Sequence, residues 1–94
     1  MRLTYDSNQN IAYLRLHEKK GQVDTVRVSD ELNVDMAPDG TVYGIELLNA
    51  NVQLEAEDDG NFVIINEVLG RRHELPLAVH EGPVEYKAKK KRKA

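Results

Sequence analysis

Cysteine and tryptophan are absent from this chain, and aromatic residues of any kind are rare. Without cysteine, the protein cannot form a disulfide, a thiolate zinc site, an iron–sulfur cluster or a cysteine nucleophile. One Phe and four Tyr supply little of the aromatic lining that small-molecule pockets usually have. These absences favour a thin β core over a deep ligand pocket, and the lack of cysteine fits a reducing compartment.

Long apolar runs are missing as well. No segment approaches the roughly 18 apolar residues that a membrane-spanning helix requires. The first ten residues, MRLTYDSNQN, contain no apolar segment of the kind that a secretory signal carries. We therefore expect a cytoplasmic protein without membrane contact.

The 94 residues leave room for one domain, because a second core would have too few residues to fill it. A chain of this size buries only about 60–65% of the surface that its unfolded form exposes, so self-association would add useful burial. We expect a single β-rich domain over residues 1–82 and a flexible basic tail over residues 83–94.

Alternation of apolar and polar residues predicts strands throughout the first half. The clearest case is Leu32–Met36, where every second residue is apolar. Turn-forming residues separate the strands, notably Asp6–Asn10 and Pro38-Asp39-Gly40, and Gly44 within a strand indicates a bulge or a close backbone approach. The predicted strands lie near Leu3–Tyr5 and at Ile11–Leu16, Val23–Val28, Leu32–Met36 and Thr41–Leu48.

The second half is harder to interpret. Residues 48–57 fit either a strand or a short helix, and both alternatives stay open. Phe62–Ile65 is the most apolar run and is predicted to be a central strand, followed by a turn at Gly70 and a strand over His73–Val79. Turns recur about every 8–12 residues, which is typical of an antiparallel meander, sandwich or small barrel. The predicted fold class is mostly β, with antiparallel hairpins and one optional short helix.

Two phrases of the first half resemble a known family. The first runs from Tyr5-Asp6 through four turn residues to Ala12-Tyr13-Leu14-Arg15-Leu16. The second contains Val34-Asp35, Asp39-Gly40, Val42, Gly44-Ile45-Glu46-Leu47-Leu48 and Ala50. In their order and spacing they are similar to the small bacterial proteins of domain of unknown function 2283, over about residues 2–51. Asn10 and Ala12 depart from that pattern, where an acidic and a larger apolar residue are common.

The resemblance implies a small antiparallel β unit and no established activity. Such proteins resemble companions of small toxin-like proteins, which implies an antitoxin role as one hypothesis. Residues 52–94 lie beyond the resemblance.

Candidate catalytic and metal-binding residues have structural explanations. Tyr5-Asp6 fits a strand end followed by a capped turn better than an acid–base pair. Tyr13 is expected to pack across strands against Tyr5 or Tyr43. Asp58-Asp59-Gly60-Asn61 lacks the spaced ligands of a calcium loop and predicts a hairpin turn.

The histidines, His17, His73 and His80, show no convergent ligand spacing, so we expect no metal site and no cofactor. No P-loop, dinucleotide fingerprint or nucleophile–base motif is present. We therefore expect a protein that is not an enzyme, with no catalytic residue.

Charge is strongly segregated along the chain. Residues 1–86 contain 7 basic and 16 acidic residues, whereas residues 87–94 contain six basic residues and no acidic one. Such a tail is typical of contact with an anionic partner, and any RNA or DNA contact through it would be independent of base sequence. The candidate contact residues are Lys87, Lys89, Lys90, Lys91, Arg92 and Lys93.

We expect a small, non-enzymatic binding or adaptor module that forms a homodimer through exposed strand edges. Two alternatives remain: an antitoxin-like partner of a small basic toxin, and a nucleic-acid or ribosome accessory protein anchored by residues 87–94.

Overall fold

The computed structural model describes residues 1–77, which form seven strands, one short helix and one 3-10 turn. The mostly β, antiparallel fold class is confirmed, and the open choice at residues 48–57 resolves in favour of a helix. The elements are β1 (Arg2–Asp6), β2 (Ile11–Arg15), β3 (Asp24–Ser29), β4 (Leu32–Met36), β5 (Val42–Leu48), α1 (Ala50–Leu54), the 3-10 turn (Asp58–Gly60), β6 (Asn61–Asn66) and β7 (Arg71–Pro76).

The chain divides into two compact units, Met1–Gln53 and a second that begins at Leu54. This boundary lies close to residue 51, where the family resemblance ends. The expectation of one domain over residues 1–82 stays a prediction, and the tail over residues 83–94 lies outside the described residues.

The first unit is a five-stranded antiparallel sheet with the strand order β1-β2-β5-β4-β3. The pairs β1–β2, β3–β4 and β4–β5 join strands that are consecutive in the chain. The connection from β2 to β3 does not, because the second neighbour of β2 is β5. A strict meander would place β3 there. The consequence is that the two family-like phrases, β1-β2 and β4-β5, lie side by side, and β1 forms one edge of the sheet.

The register aligns residues of similar chemistry across four or five strands. Directly opposite residues of an antiparallel sheet share a face, so each aligned row reports the character of that face. One face, which we call the aliphatic face, carries the rows Leu3–Leu14–Ile45–Val34–Val26 and Tyr5–Ala12–Leu47–Leu32. The other, the polar face, carries the rows Arg2–Arg15–Gly44–Asp35–Thr25 and Thr4–Tyr13–Glu46–Asn33–Arg27.

Burial in the first unit is thin. Among residues 1–77 the buried hydrophobic residues are Ala12, Tyr43 and Ala50. The large side chains of the aliphatic face are only partly buried. A one-sided apolar sheet ordinarily gains its stability by packing against a second layer.

The predicted turns are confirmed. The Asp6 carboxylate accepts hydrogen bonds from the backbone N–H of Asn8 (2.9 Å) and of Gln9 (3.2 Å), as a turn-capping side chain does. Gly40 has a φ of +94°, and its N–H donates to the Ala37 carbonyl at 2.9 Å. Glycine reaches this left-handed conformation without steric cost.

Asn10 joins the first turn to the start of α1. Its side-chain oxygen accepts from the backbone N–H of Asn51 (2.9 Å) and from the Tyr5 hydroxyl (3.1 Å), while its amide donates to the Asn51 side chain (2.7 Å). The Asn10 carbonyl also accepts from the Ala50 N–H at 3.0 Å. An amide can donate and accept at once, which explains why asparagine suits this position.

The second unit contains the two-stranded sheet β6–β7. The prediction of a strand near Phe62–Ile65 is confirmed, but the expectation that it is central is wrong, because within residues 1–77 β6 pairs with β7 alone. The apolar run encouraged that expectation, yet Ile64 and Ile65 are 45% and 55% exposed. Residues 78 and 79 of the predicted strand over His73–Val79 lie outside the described part of the chain.

No helix formed by residues 1–77 combines the length and the apolar character needed to cross a membrane.

Candidate functional site

A polar cluster of the first unit surrounds Asp35 on the polar face. Its carboxylate accepts hydrogen bonds from the Thr25 hydroxyl at 2.7 Å and the Tyr13 hydroxyl at 3.0 Å, and it lies 3.0 Å from the Lys19 ammonium. The Lys19 nitrogen also lies 4.8 Å from the centre of the Tyr13 ring, a cation–π distance. The side chain of Asp35 is only 13% exposed, so these contacts replace most of its solvation.

Gly44 makes this cluster possible. In the row of the polar face that begins at Arg2, Gly44 lies between Arg15 and Asp35, and the Tyr13 ring lies over it. A Cβ atom at this position would lie 2.5 Å from the Tyr13 hydroxyl oxygen and 2.7 Å from the Leu14 carbonyl oxygen. The prediction of a bulge or a close approach is confirmed on both counts, since the β4–β5 register also shifts between Asp35 and Met36.

The cluster holds fixed charges at neutral pH. Desolvation raises the pKa of Asp35, but the hydrogen bonds from Thr25, Lys19 and Tyr13 outweigh it, so the pKa falls below its usual value. Burial, and then the hydrogen bond to Asp35, raise the pKa of the Tyr13 hydroxyl. The hydrogen bond to Asp35 also raises the pKa of Lys19. Asp35 is therefore ionised, and Tyr13 and Lys19 keep their protons.

Two arginines lie at the edge of the same face. Arg2 and Arg15 are directly opposite each other on β1 and β2. Within residues 1–77, no carboxylate forms an ion pair with either of them. Their cross-strand pairing therefore sets two uncompensated positive charges side by side.

An open depression of about 380 Å³ connects the arginines with the Asp35 cluster. Both arginines, Tyr13 and Lys19 line it, and the hydroxyl-bearing Thr4 and the carboxylate of Glu18 complete the wall. The polar face thus presents one site with an excess of positive charge, although the first 86 residues as a whole are acidic.

The candidate residues at the first turn have structural roles. The Tyr5 hydroxyl donates to Asn10, and Asp6 caps the turn that follows β1. The expectation that Tyr13 packs against Tyr5 is wrong, and packing against Tyr43 stays a prediction. Tyr5 is opposite Ala12 and therefore lies on the other face, and the Tyr43 hydroxyl donates to the Lys20 carbonyl at 2.7 Å.

The histidines do not converge. His17 donates through Nδ1 to the Val42 carbonyl at 2.9 Å, and His73 lies opposite Ile64 in the second unit. His80 is outside the described residues. Across residues 1–77, no group of three or more His, Cys, Asp or Glu side chains is arranged to hold a metal ion. Asp58-Asp59-Gly60 forms a 3-10 turn, but the expectation of a hairpin turn is wrong, because this element leads from α1 into β6 and does not join two paired strands.

The predicted contact residues of the tail, Lys87, Lys89, Lys90, Lys91, Arg92 and Lys93, all lie outside the described residues. The hypothesis that they contact an anionic partner stays a prediction.

Comparison with known proteins identifies one family, whose match lies within the first unit. A family model described as protein of unknown function (DUF2283) matches residues 2–51. The chain belongs to this family. No curated protein and no solved structure matches the chain. The DUF2283 match covers all five strands of the first unit and ends at Asn51, inside α1.

The sequence alone does not reveal this site on the DUF2283 sheet. Alternation along β2 predicts that Tyr13 and Arg15 share one face, and the prediction is confirmed because both line the same depression. Alternation along β4 separates Asp35 from the apolar residues of that strand, but it does not show which side chains contact the Asp35 carboxylate. The signal that could have found the site is Gly44, since a glycine inside a strand implies a large side chain lying over it.

Proposed function

We propose that the protein is a small, non-enzymatic binding module that functions as a homodimer joined through the edge strand β3. The observation that supports this proposal most directly is the exposure of β3, including two of its valines. Val26 and Val28 are 45% and 58% exposed, and all six residues of β3 are exposed.

The backbone of β3 supports pairing with another strand. Within residues 1–77 its one neighbour is β4, so the N–H and C=O groups on its outer side have no strand partner. Such an edge is a template for another chain. The other edge, β1, is less suited because Leu3 and Tyr5 are already partly buried.

A second copy is the partner that fits this edge best. An antiparallel β3–β3 contact centred on Val26 places each Val26 beside its counterpart and each Thr25 beside Arg27. It also joins the two aliphatic faces into one surface. Because two-fold contacts of this kind are self-complementary, they need no further residue. The contact area of one strand pair is small, so the dimer should dissociate on dilution.

The state of the polar face supports a role in binding. General acid–base catalysis works best with groups whose pKa lies near the working pH. In the described cluster the pKa of Asp35 is lowered and that of Tyr13 is raised, and both shifts move these groups away from neutrality. A fixed network of this kind orients a surface for recognition.

Sedimentation velocity across a range of concentrations tests the proposal. The unmodified chain should show a dimer that dissociates on dilution, and Val26→Lys should remain a monomer because a lysine on a strand edge opposes pairing. The matched control is Val68→Lys, which introduces the same charge at a site that is 93% exposed in the second unit. A monomer at every concentration, or an unchanged dimer in Val26→Lys, would contradict the proposal.

A further inference from the structure

The opposition of Arg2 and Arg15 is unfavourable unless something neutralises it. Directly opposite like charges destabilise an antiparallel strand pair. Arginine remains protonated in proteins, so this pair cannot relieve the repulsion by losing a proton. No ion pair with a carboxylate of residues 1–77 relieves it either.

The nearest acidic residue in the same row is already engaged. Asp35 is separated from Arg15 by Gly44 and is saturated by Thr25, Tyr13 and Lys19. Glu18 contributes to the wall of the depression but forms no ion pair with either arginine. The Tyr13 side chain, lying over Gly44, stands between the bound carboxylate and the two free guanidinium groups.

We propose that the depression between Arg2 and Arg15 binds the phosphate group of a small molecule. Phosphate carries a charge of about −1.5 to −2 near neutral pH, which matches two guanidinium groups better than a single carboxylate does. Guanidinium groups bind such oxyanions through paired N–H donors. The Thr4 hydroxyl lines the same wall and supplies a further donor to a phosphate oxygen.

The size and the electrostatics of the surroundings favour a small ligand over a nucleic acid. The depression measures about 380 Å³, which lies within the range of small-molecule sites. Residues 1–53 carry eight acidic residues against five basic ones, so a polyanion extending beyond the depression would meet a first unit of net negative charge.

This inference goes beyond the proposed dimer and does not depend on it. Arg2 lies on β1 and Val26 on β3, the two opposite edges of the sheet. Loss of self-association in Val26→Lys should leave phosphate binding unchanged. Sedimentation therefore tests the dimer, and the phosphate titration tests the site, independently of each other.

Titration of the full-length, ¹⁵N-labelled chain with inorganic phosphate, at an ionic strength held constant with sodium chloride, tests the site by NMR. We expect saturable shifts at the Nε–H groups of Arg2 and Arg15 and at the Thr4 amide. The double variant Arg2→Gln/Arg15→Gln should lose at least about tenfold in affinity, the scale of hydrogen bonds to charged groups. It removes a repulsive pair, so it should fold, and its amide spectrum verifies this.

The matched control is Arg27→Gln/Arg71→Gln, which removes two positive charges from exposed strand positions that do not line the depression. It should retain the affinity within about twofold. Phosphate should also raise the thermal unfolding midpoint of the unmodified chain and of this control, but not of Arg2→Gln/Arg15→Gln, because a ligand stabilises only the state that binds it.

Further arms of the titration distinguish the possible ligands. A phosphomonoester such as glycerol phosphate that binds through the same two arginines, as tightly as inorganic phosphate or more so, supports the small-molecule assignment. Shifts that do not saturate, or equal losses of affinity in both double variants, would overturn the site. Binding of a short single-stranded RNA that requires Arg2 and Arg15, without binding of phosphate or its monoester, would overturn the choice of ligand.

Discussion

The two faces of the five-stranded sheet are built by different rules. On the aliphatic face, the aligned side chains are mostly aliphatic and could replace one another chemically. The large side chains of this face are only partly buried. On the polar face, Asp35 has three named donors and Gly44 has one side chain lying over it. The first face requires only apolar residues of roughly the right volume, whereas the second requires particular residues at particular positions.

The comparison explains which face can carry specificity. Hydrophobic contacts are non-directional and tolerate exchange, whereas hydrogen-bonded networks lose much of their value when one partner is removed. We therefore expect substitutions on the polar face to cost more free energy of unfolding than equally small changes on the aliphatic face. The predictions below test this expectation, beginning with the largest effect.

Gly44→Ala should have the largest effect. The new Cβ would collide with the Tyr13 ring and with the backbone carbonyl of Leu14, and backbone cannot move aside cheaply. We expect a loss of about 3 kcal/mol or more, at the upper end of overpacking costs, measured by urea unfolding. Gly21→Ala is the control, because nothing lies within 4 Å of that position and its φ of +81° adds only a conformational cost. An equal loss in both variants would contradict the steric explanation.

Asp35→Ala should cost somewhat less. The substitution leaves the Thr25 and Tyr13 hydroxyls and the Lys19 ammonium without their shared acceptor. Water can solvate Thr25 and Lys19, which are exposed, whereas the part-buried Tyr13 hydroxyl loses its partner at a cost of about 1–3 kcal/mol. The matched change on the other face is Ile45→Leu, which keeps side-chain volume and should cost less than about 1.5 kcal/mol. If Ile45→Leu proves as harmful as Asp35→Ala, the distinction between the two faces fails.

Much of the fold follows from the sequence because it is local. Period-two alternation locates the strands, Asp6 and Gly40 mark their turns, and the faces of β2 follow from counting. In the second unit, the apolar run of β6 misled the prediction of its environment, because hydrophobicity alone does not report how many neighbours a strand has.

The candidate site depends on non-local pairing and could not be read from the sequence in the same way. Tyr13 reaches Asp35 only because β5 lies between β2 and β4, and Arg2 faces Arg15 only in the observed β1–β2 register. A shift of one residue would move these side chains to the opposite face. Lys19 reaches the cluster from outside any strand, where no periodicity constrains it.

Acid should lower the free energy of unfolding by protonating Asp35 on the polar face. The folded-state pKa of Asp35 lies below its ordinary value of 3.8, so the unfolded state binds more protons as the pH falls through this region. The stabilisation is complete above the unfolded pKa and is lost as the pH falls through the folded pKa. Urea unfolding at a series of pH values should show this loss, and it should be smaller than that of Asp35→Ala because the protonated carboxyl group keeps its shape and an acceptor oxygen.

Two variants separate Asp35 from the other carboxylate with a lowered pKa. The Asp39 carboxylate accepts from the Thr41 N–H at 2.9 Å, and this hydrogen bond lowers its pKa too. Asp35→Asn should flatten the acid dependence more than Asp39→Asn does, because Asp35 is largely enclosed whereas Asp39 is exposed. Equal flattening in the two variants would assign the effect to the turns and not to the polar face.

The smallest effect has the opposite sign. Replacing Arg2 or Arg15 by Gln removes the cross-strand repulsion and should stabilise the phosphate-free protein by about 0.2–1 kcal/mol, the usual size of such pairs. A double-mutant cycle isolates this term, since the second substitution should bring no further relief of repulsion. Added phosphate should reverse the order and make the unmodified chain the more stable one. If the arginine pair instead stabilises the phosphate-free protein, then Arg2 and Arg15 do not repel each other, and the argument for a bound phosphate fails.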